Sequence, residues 1–199
     1  MNDGDVIDLL AGLAADSPLT AIRDRKPVTR QNAQASYRAL FEPDEPSDVT
    51  LQERFAIATF VAGLHAEEEA AAFYGAGLAR TRPDAAFVAA LSAEVIRGRT
   101  VGPYGAYPEG PLSVEDVDGL VFHVAEAHHA VFGSRITAAL AHMHMLIFHP
   151  RDASAVALQA LLDAGWSNAG IVTLSQLVAF LAFQIRAAAG LRTLSRSSP

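Results

Sequence analysis

The stretch from Gly170 to Leu191 constrains this chain more than any other. Ile171, Leu174, Val178, Leu181, Ile185 and Ala188 recur at steps of three and four residues, the spacing that aligns side chains on one side of an α-helix. Phe180 and Phe183 lie off that line, so apolar surface runs around much of the circumference. Such a helix must be covered from several directions, in the centre of a fold or in a subunit interface. Thr173, Gln176 and Gln184 are polar positions within it. Buried polar groups need partners, which a ligand or, the preferred account, a packed subunit would supply. The longest apolar run, Gly170 to Ile185, falls short of a clean membrane span because of these residues and Ser175. No membrane segment is expected.

Composition agrees with a helical chain. Of 199 residues, 39 are alanine, the strongest helix former. No alternation typical of strands is present. The expectation is an all-α fold. Half of the chain is apolar and 19% is charged, which excludes disorder. The formal charge is −7, Lys26 is the one lysine, and no basic cluster exists to hold phosphates, so no nucleic-acid partner is expected. Cysteine is absent. Disulfides, thiolate metal sites and thiol catalysis are thereby excluded. The N-terminal MNDGDVIDLL lacks a basic signal-peptide start, which leaves the cytoplasm as the default location.

Local signals divide the chain into an N-terminal helical extension, 1–48, and a main helical domain, 49–199. The extension holds short helices at about 3–14 and 29–41, ended by the acidic, proline-rich 42–48. Thr50 and Glu53 form a capping box opening a helix. Helical pattern resumes after the acidic 65–69 and runs through Leu78. A further helix is expected at about 84–97, followed by a loop, 98–111, rich in glycine and proline. Ser113 caps a helix predicted over 114–131. Gly133 and Ser134 break it and start the next, which runs to Phe148. A short helix over 154–164 ends at Gly165 in a left-handed cap, with Trp166 folding back on Leu161 or Leu162. Ser167 caps the last helix, which Gly190 ends.

Two constellations could carry chemistry. His123, Glu126 and His129 fall at intervals of three, and Glu126-x-x-His129 has the pair spacing of carboxylate-bridged metal bundles. Such bundles need the pair twice and further carboxylates, yet 133–148 contains no Asp or Glu. Solvated or core histidines are the preferred account, with these three residues as the metal-ligating candidates. His65 with Glu68 or Glu69, one turn apart, could orient an imidazole for acid–base work. A solvated helix start explains the same residues. No phosphate loop, nucleophile elbow or zinc signature occurs, and no cofactor is called for.

Leu51–Leu78 (LQERFAIATFVAGLHAEEEAAAFYGAGL) resembles the core helix pair of the carboxymuconolactone decarboxylase / alkylhydroperoxidase D superfamily. Phe148–Leu191, with its LLDAGWSNAGIV and AFLAFQIRAAAGL segments, resembles the C-terminal part of peroxidase-related members. The resemblance implies an alkylhydroperoxidase D-like helical bundle and homo-oligomers that pack helices between subunits, here through the C-terminal helix. It also implies a peroxidatic set of a Glu, a Cys-x-x-Cys pair and a His. Glu53 fits the Glu, but His65 and Glu68 stand at the two cysteine positions and Ala72 at the His. Neither imidazole nor carboxylate forms a sulfenic acid, so thiol-dependent peroxide reduction is excluded. What remains is a small-molecule-binding or non-catalytic protein. The alternatives are an acid–base enzyme using Glu53, His65 and Glu68 on a carboxylated or lactone substrate, and a His/Glu metal protein.

Overall fold

A computed structural model describes residues 4–14, 16–45 and 48–197. The expected start of the first helix at residue 3 and residues 46–47 of the acidic turn lie outside them. Among the described residues there are nine α-helices and no strand. The all-α expectation holds.

The central element is α4, Leu51–Leu64. From Arg54 to Leu64 every residue except Thr59 is buried. The sequence places the last helix either in this role or in a subunit interface. α9, Asn168–Ser197, keeps one face in solvent and lies against α4. α5, Glu68–Arg80, turns back along α4, and glycine sets how close the two come. A Cβ at Gly77 would lie 2.2 Å from the Phe55 ring. α6, Ala85–Gly98, closes on the other side, where Gly63 faces the Val95 side chain. α7, Glu126–Phe148, is bent at Gly133, whose φ of 69° and ψ of 173° leave the helical region. Glycine adopts that backbone without steric cost. α4, α6, the second half of α7 and α9 run the same way. Thr50, Asp84, Arg135 and Ser167 mark one end, and Leu64, Gly98 and His144 the other.

The N-terminal helices α1, Val6–Ala11, α2, Pro18–Asp24, and α3, Pro27–Phe41, share the same hydrophobic core, which runs from Val6 to Ala188. Arg23 and Arg30 tie α1 to α2 and α3 through Asp5, Asp8 and Asp24. Arg192 of α9 donates to the Leu10 carbonyl (2.7 Å). α8, Ala155–Asp163, completes the fold and ends at Gly165, φ 93°, as the left-handed cap expected there.

Two sequence expectations are corrected, and one helix forms where none was expected. The region around Pro18 forms α2 because Ser17 caps it and proline occupies its first turn. No helix spans 114–131. A short 3-10 turn covers Pro111–Glu115, and the chain then stays extended up to Ala125. Phe122 and Val124 are buried while Val121 and His123 are exposed, the two-residue period of extended chain. Valines together with Asp116, Asp118 and Gly119 disfavour a helix here. Finally, α9 continues through Gly190 to Ser197, since a single glycine in a packed helix costs only about 1 kcal/mol. By length and hydropathy α7 and α9 would each also suffice to cross a membrane. Here about half of each is buried among the other helices.

The two glycines of α5 give opposite expectations. Gly77→Ala should lose about 1–3 kcal/mol by driving a methyl into Phe55. Gly75→Ala, with nothing within 4 Å of its Cβ, should gain about 0.5–1 kcal/mol. Urea denaturation of both variants checks the pair.

Candidate functional site

The N-terminal ends of α4 and α6 meet the bend of α7 around a cavity of about 490 Å³. Thr50, Gln52 and Glu53 line it from α4, Asp84 and Phe87 from α6, and Val131, Phe132 and Ile136 from α7. The bend at Gly133 lets the Phe132 ring meet the Phe87 ring edge-on, 5.2 Å between centres. One wall is aromatic and the rim is polar.

Glu53 is fixed at this rim. Its carboxylate accepts from the Thr50 backbone N–H (2.8 Å), while the Thr50 hydroxyl accepts from the Glu53 N–H (3.2 Å). That is the capping box read from the sequence. Arg135 adds an ion pair, its Nε donating to Glu53 Oε1 at 2.9 Å. The same guanidinium donates to the carbonyls of Asp48 and Gly165 and lies 4.0 Å over the Trp166 ring. Every contact holds Glu53 still, and its oxygens are occupied. Asp84 differs: it precedes α6 but makes no capping hydrogen bond, and it is exposed. It is the carboxylate left open to a visitor.

His65 is not at this cavity. It stands at the far end of α4, as its C-terminal cap. Twelve residues of helix separate it from Glu53, about 18 Å along the axis. Its Nε2 is buried without a hydrogen-bond partner, and burial, then the charge of Arg186, lowers its pKa. Glu68 is exposed near the His65 end, lining a shallow depression with Glu67, Glu69, Arg192 and Arg196. Arg192 pairs with Glu67 there. The structure thus brings His65 and Glu68 to one end of α4 and leaves Glu53 at the other.

The metal candidates are likewise not gathered. His123 lies on the extended segment rather than on a helix, and Glu126 and His129 are exposed on the first turn of α7. His129 Nε2 meets the Val124 carbonyl (3.1 Å). Among the described residues no three His, Asp or Glu side chains are grouped to hold a metal ion.

Sequence reasoning missed two histidine–carboxylate pairs. Glu94 is fully buried, and its carboxylate meets His128 Nδ1 (2.6 Å), Arg97 and the backbone N–H of Ala125. It pins the start of α7 to α6. Its signal was present: Phe87, Ala90, Leu91, Glu94 and Gly98 form the buried stripe of α6, so a charge stood at a core position. His149 Nδ1 meets Asp152 (2.8 Å), and its ring stacks on Tyr104. Asp152 also accepts from the N–H of Ala106, which holds its pKa low. Both pairs anchor the 99–125 segment. Arg135 and the cavity residues Asp84, Phe87 and Phe132 were missed as well, and Arg135 carries no sequence signal because its partners are distant in the chain.

No protein-family model matches this chain, and no match is found among curated proteins or solved structures.

The buried histidines predict a pH dependence. His144 is fully buried between Phe122 and Phe148, with Nε2 against the Gly98 carbonyl and Nδ1 unpartnered. Burial lowers its pKa from 6.5 to about 4. In the unfolded chain the same ring takes a proton near 6.5, so between about 6.5 and 4 the unfolded state binds more protons. Stability present above pH 6.5 is therefore lost on acidification, by up to about 3 kcal/mol from this residue. His65 and His142, also lowered by burial, act in the same direction. Melting curves should fall from pH 7 to 5, before most carboxylates titrate, and His144→Gln should flatten that slope.

Proposed function

We propose that this chain is a cysteine-less member of the carboxymuconolactone decarboxylase / alkylhydroperoxidase D-like superfamily that binds a small molecule in the cavity beside Glu53. The observation that carries the reading is the cavity itself: an aromatic wall of Phe87 and Phe132 behind a rim whose uncommitted charge is Asp84. The ligand class that fits is a small molecule with an apolar, preferably aromatic, body and a cationic or hydrogen-bond-donating head. Glu53 sits where the resemblance places a reacting carboxylate, but its cap and its ion pair leave it no proton-transfer role. The acid–base alternative needs Glu53 beside His65, and the length of α4 opposes it. The absence of thiols supports a binding role over hydroperoxide reduction.

Benzylamine and benzoate are matched probes of opposite charge. Millimolar benzylamine should raise the melting temperature by about 3 °C, as expected for a ligand in tenfold excess over its Kd. Benzoate should not. Phe132→Ala and Asp84→Asn should each remove the shift; an equal response to both probes, or an undiminished one in both variants, rejects the site. The pure protein should also reduce cumene hydroperoxide with dithiothreitol no faster than a heat-killed control.

A further inference from the structure

Seven imidazoles are available in this chain, and the fold sets one of them apart. An imidazole is a ready nucleophile when a carboxylate fixes the proton on one ring nitrogen and the other nitrogen, carrying its lone pair, stays open to solvent. Among the described residues two histidines meet a carboxylate, His128 and His149. The His149 side chain is 8% exposed and stacks on Tyr104, so it is closed to a reactant. The His128 side chain is 25% exposed. His123 and His129 lie in the open nearby, and among the described residues neither has a carboxylate at its ring.

Glu94 is held on both oxygens. Its Oε1 accepts from His128 Nδ1 (2.6 Å) and from the Ala125 backbone N–H (3.1 Å), and its Oε2 accepts from Arg97 Nη1 (2.6 Å). The carboxylate is fully buried. An ionised carboxylate only accepts, so the proton of a neutral His128 ring sits on Nδ1. The lone pair is then on Nε2, on the side of the ring away from Glu94. That nitrogen bonds to no other described residue, and it is not sealed from solvent. The Arg97 side chain, 48% exposed, shares the carboxylate with the imidazole and brings a cation to the same patch of surface.

We propose that His128, held ready by Glu94, is a nucleophile for neutral acyl donors with a good leaving group, aryl esters above all. Nε2 adds to the carbonyl carbon, and the electron pair of the C=O bond moves onto oxygen, where the cation of Arg97 favours the developing charge. Collapse re-forms the C=O bond and expels the aryloxide. The acylated ring now carries a positive charge beside the Glu94 carboxylate, which stabilises it as the carboxylate does in a hydrolytic triad. Water then attacks the acyl carbon, Nε2 leaves with its electron pair, and a proton departs with the carboxylic acid. The sum is ester plus water to acid plus phenol, with the ring regenerated. Glu94 acts through the ring and is a positioning residue. The net charge of −7 disfavours phosphorylated donors. The inference stands apart from the ligand reading, since neither Glu94 nor His128 lines the Glu53 cavity.

The test uses the unmodified protein first. Equimolar diethyl pyrocarbonate, itself an activated acyl donor, should label His128 ahead of the exposed His123 and His129 when the peptides are mapped by mass. With nitrogen-15 in the histidines, the His128 ring at alkaline pH should show the proton on Nδ1, the minor tautomer of free histidine. His128→Gln should lower the second-order rate of 4-nitrophenyl acetate hydrolysis about tenfold, while His123→Gln and His129→Gln leave it unchanged. Glu94→Gln should bring the labelling of His128 down to that of His123; where this variant does not fold, the label map and the tautomer of the parent decide. Labelling that reaches His123 or His129 first, a His128 ring with its proton on Nε2, or ester hydrolysis undiminished in His128→Gln would each overturn the proposal.

Discussion

The guanidinium of Arg135 holds together the end of the molecule at which four chain segments converge. It pairs with Glu53 at the start of α4, donates to the carbonyl of Asp48 before α4 and to that of Gly165 after α8, and lies on Trp166. The indole N–H of Trp166 returns a hydrogen bond to the Arg135 carbonyl (2.9 Å). Arginine suits this position because a planar fork of donors can serve several acceptors while its face stacks on an aromatic ring. The carbonyls of Asp48, ahead of α4, and Gly165, past the cap of α8, lie outside the helices and need partners from elsewhere. With them satisfied, α4, α7, α8 and α9 can start or end at one level. The polar rim of the cavity is a consequence of this arrangement.

Much of the fold was legible in the sequence where the controlling interaction is local. The capping box at Thr50–Glu53, the left-handed Gly165 and the helix at 84–97 each depend on residues within one turn of each other, and all appear as expected. Where burial decides, local reading failed. Ser113-Val114-Glu115-Asp116 resembles a helix start and predicts a helix through 116–125. Phe122 packs on Phe60 of α4 and His144 of α7, and its burial and that of Val124, alternating with exposed Val121 and His123, dictate extended chain instead. α9 was expected to stop at Gly190, but the contact of Arg192 with α1 and Glu67 carries the helix past it. Of the candidate site, Glu53 was legible through its cap, whereas Arg135, Asp84, Phe87 and Phe132 were not, because sequence spacing does not encode which helix ends meet.

The histidines show the same division between composition and environment. Seven in one chain invite a metal or acid–base reading, yet most prove to be occupied otherwise. His128 and His149 each meet a carboxylate, His129 meets a carbonyl, and His144 is packed between aromatic rings. These contacts serve one task, holding the long 99–125 segment against α6 and the end of α7. That segment has little more than the 3-10 turn at Pro111–Glu115, the Gly105–Val117 backbone pair and the Tyr104 N–H on the Phe148 carbonyl to satisfy its backbone. Side chains serve further groups: Asp152 the N–H of Ala106, Asp116 that of Tyr107, and Glu94 that of Ala125.

The same accounting bears on what the protein can do at its cavity. Proton transfer needs a group that can change its hydrogen bonds during a reaction. Glu53 is held by a backbone N–H, a hydroxyl and a guanidinium at once. Moving it would uncap α4 and leave Arg135 without its carboxylate. Asp84 carries no such obligations, and the other ionisable group lining the cavity is Glu53 itself. What remains is a fixed negative rim and an aromatic wall. On the reading proposed above, those two features would share the work: the rings take the apolar body of a small molecule, and the rim orients its polar head.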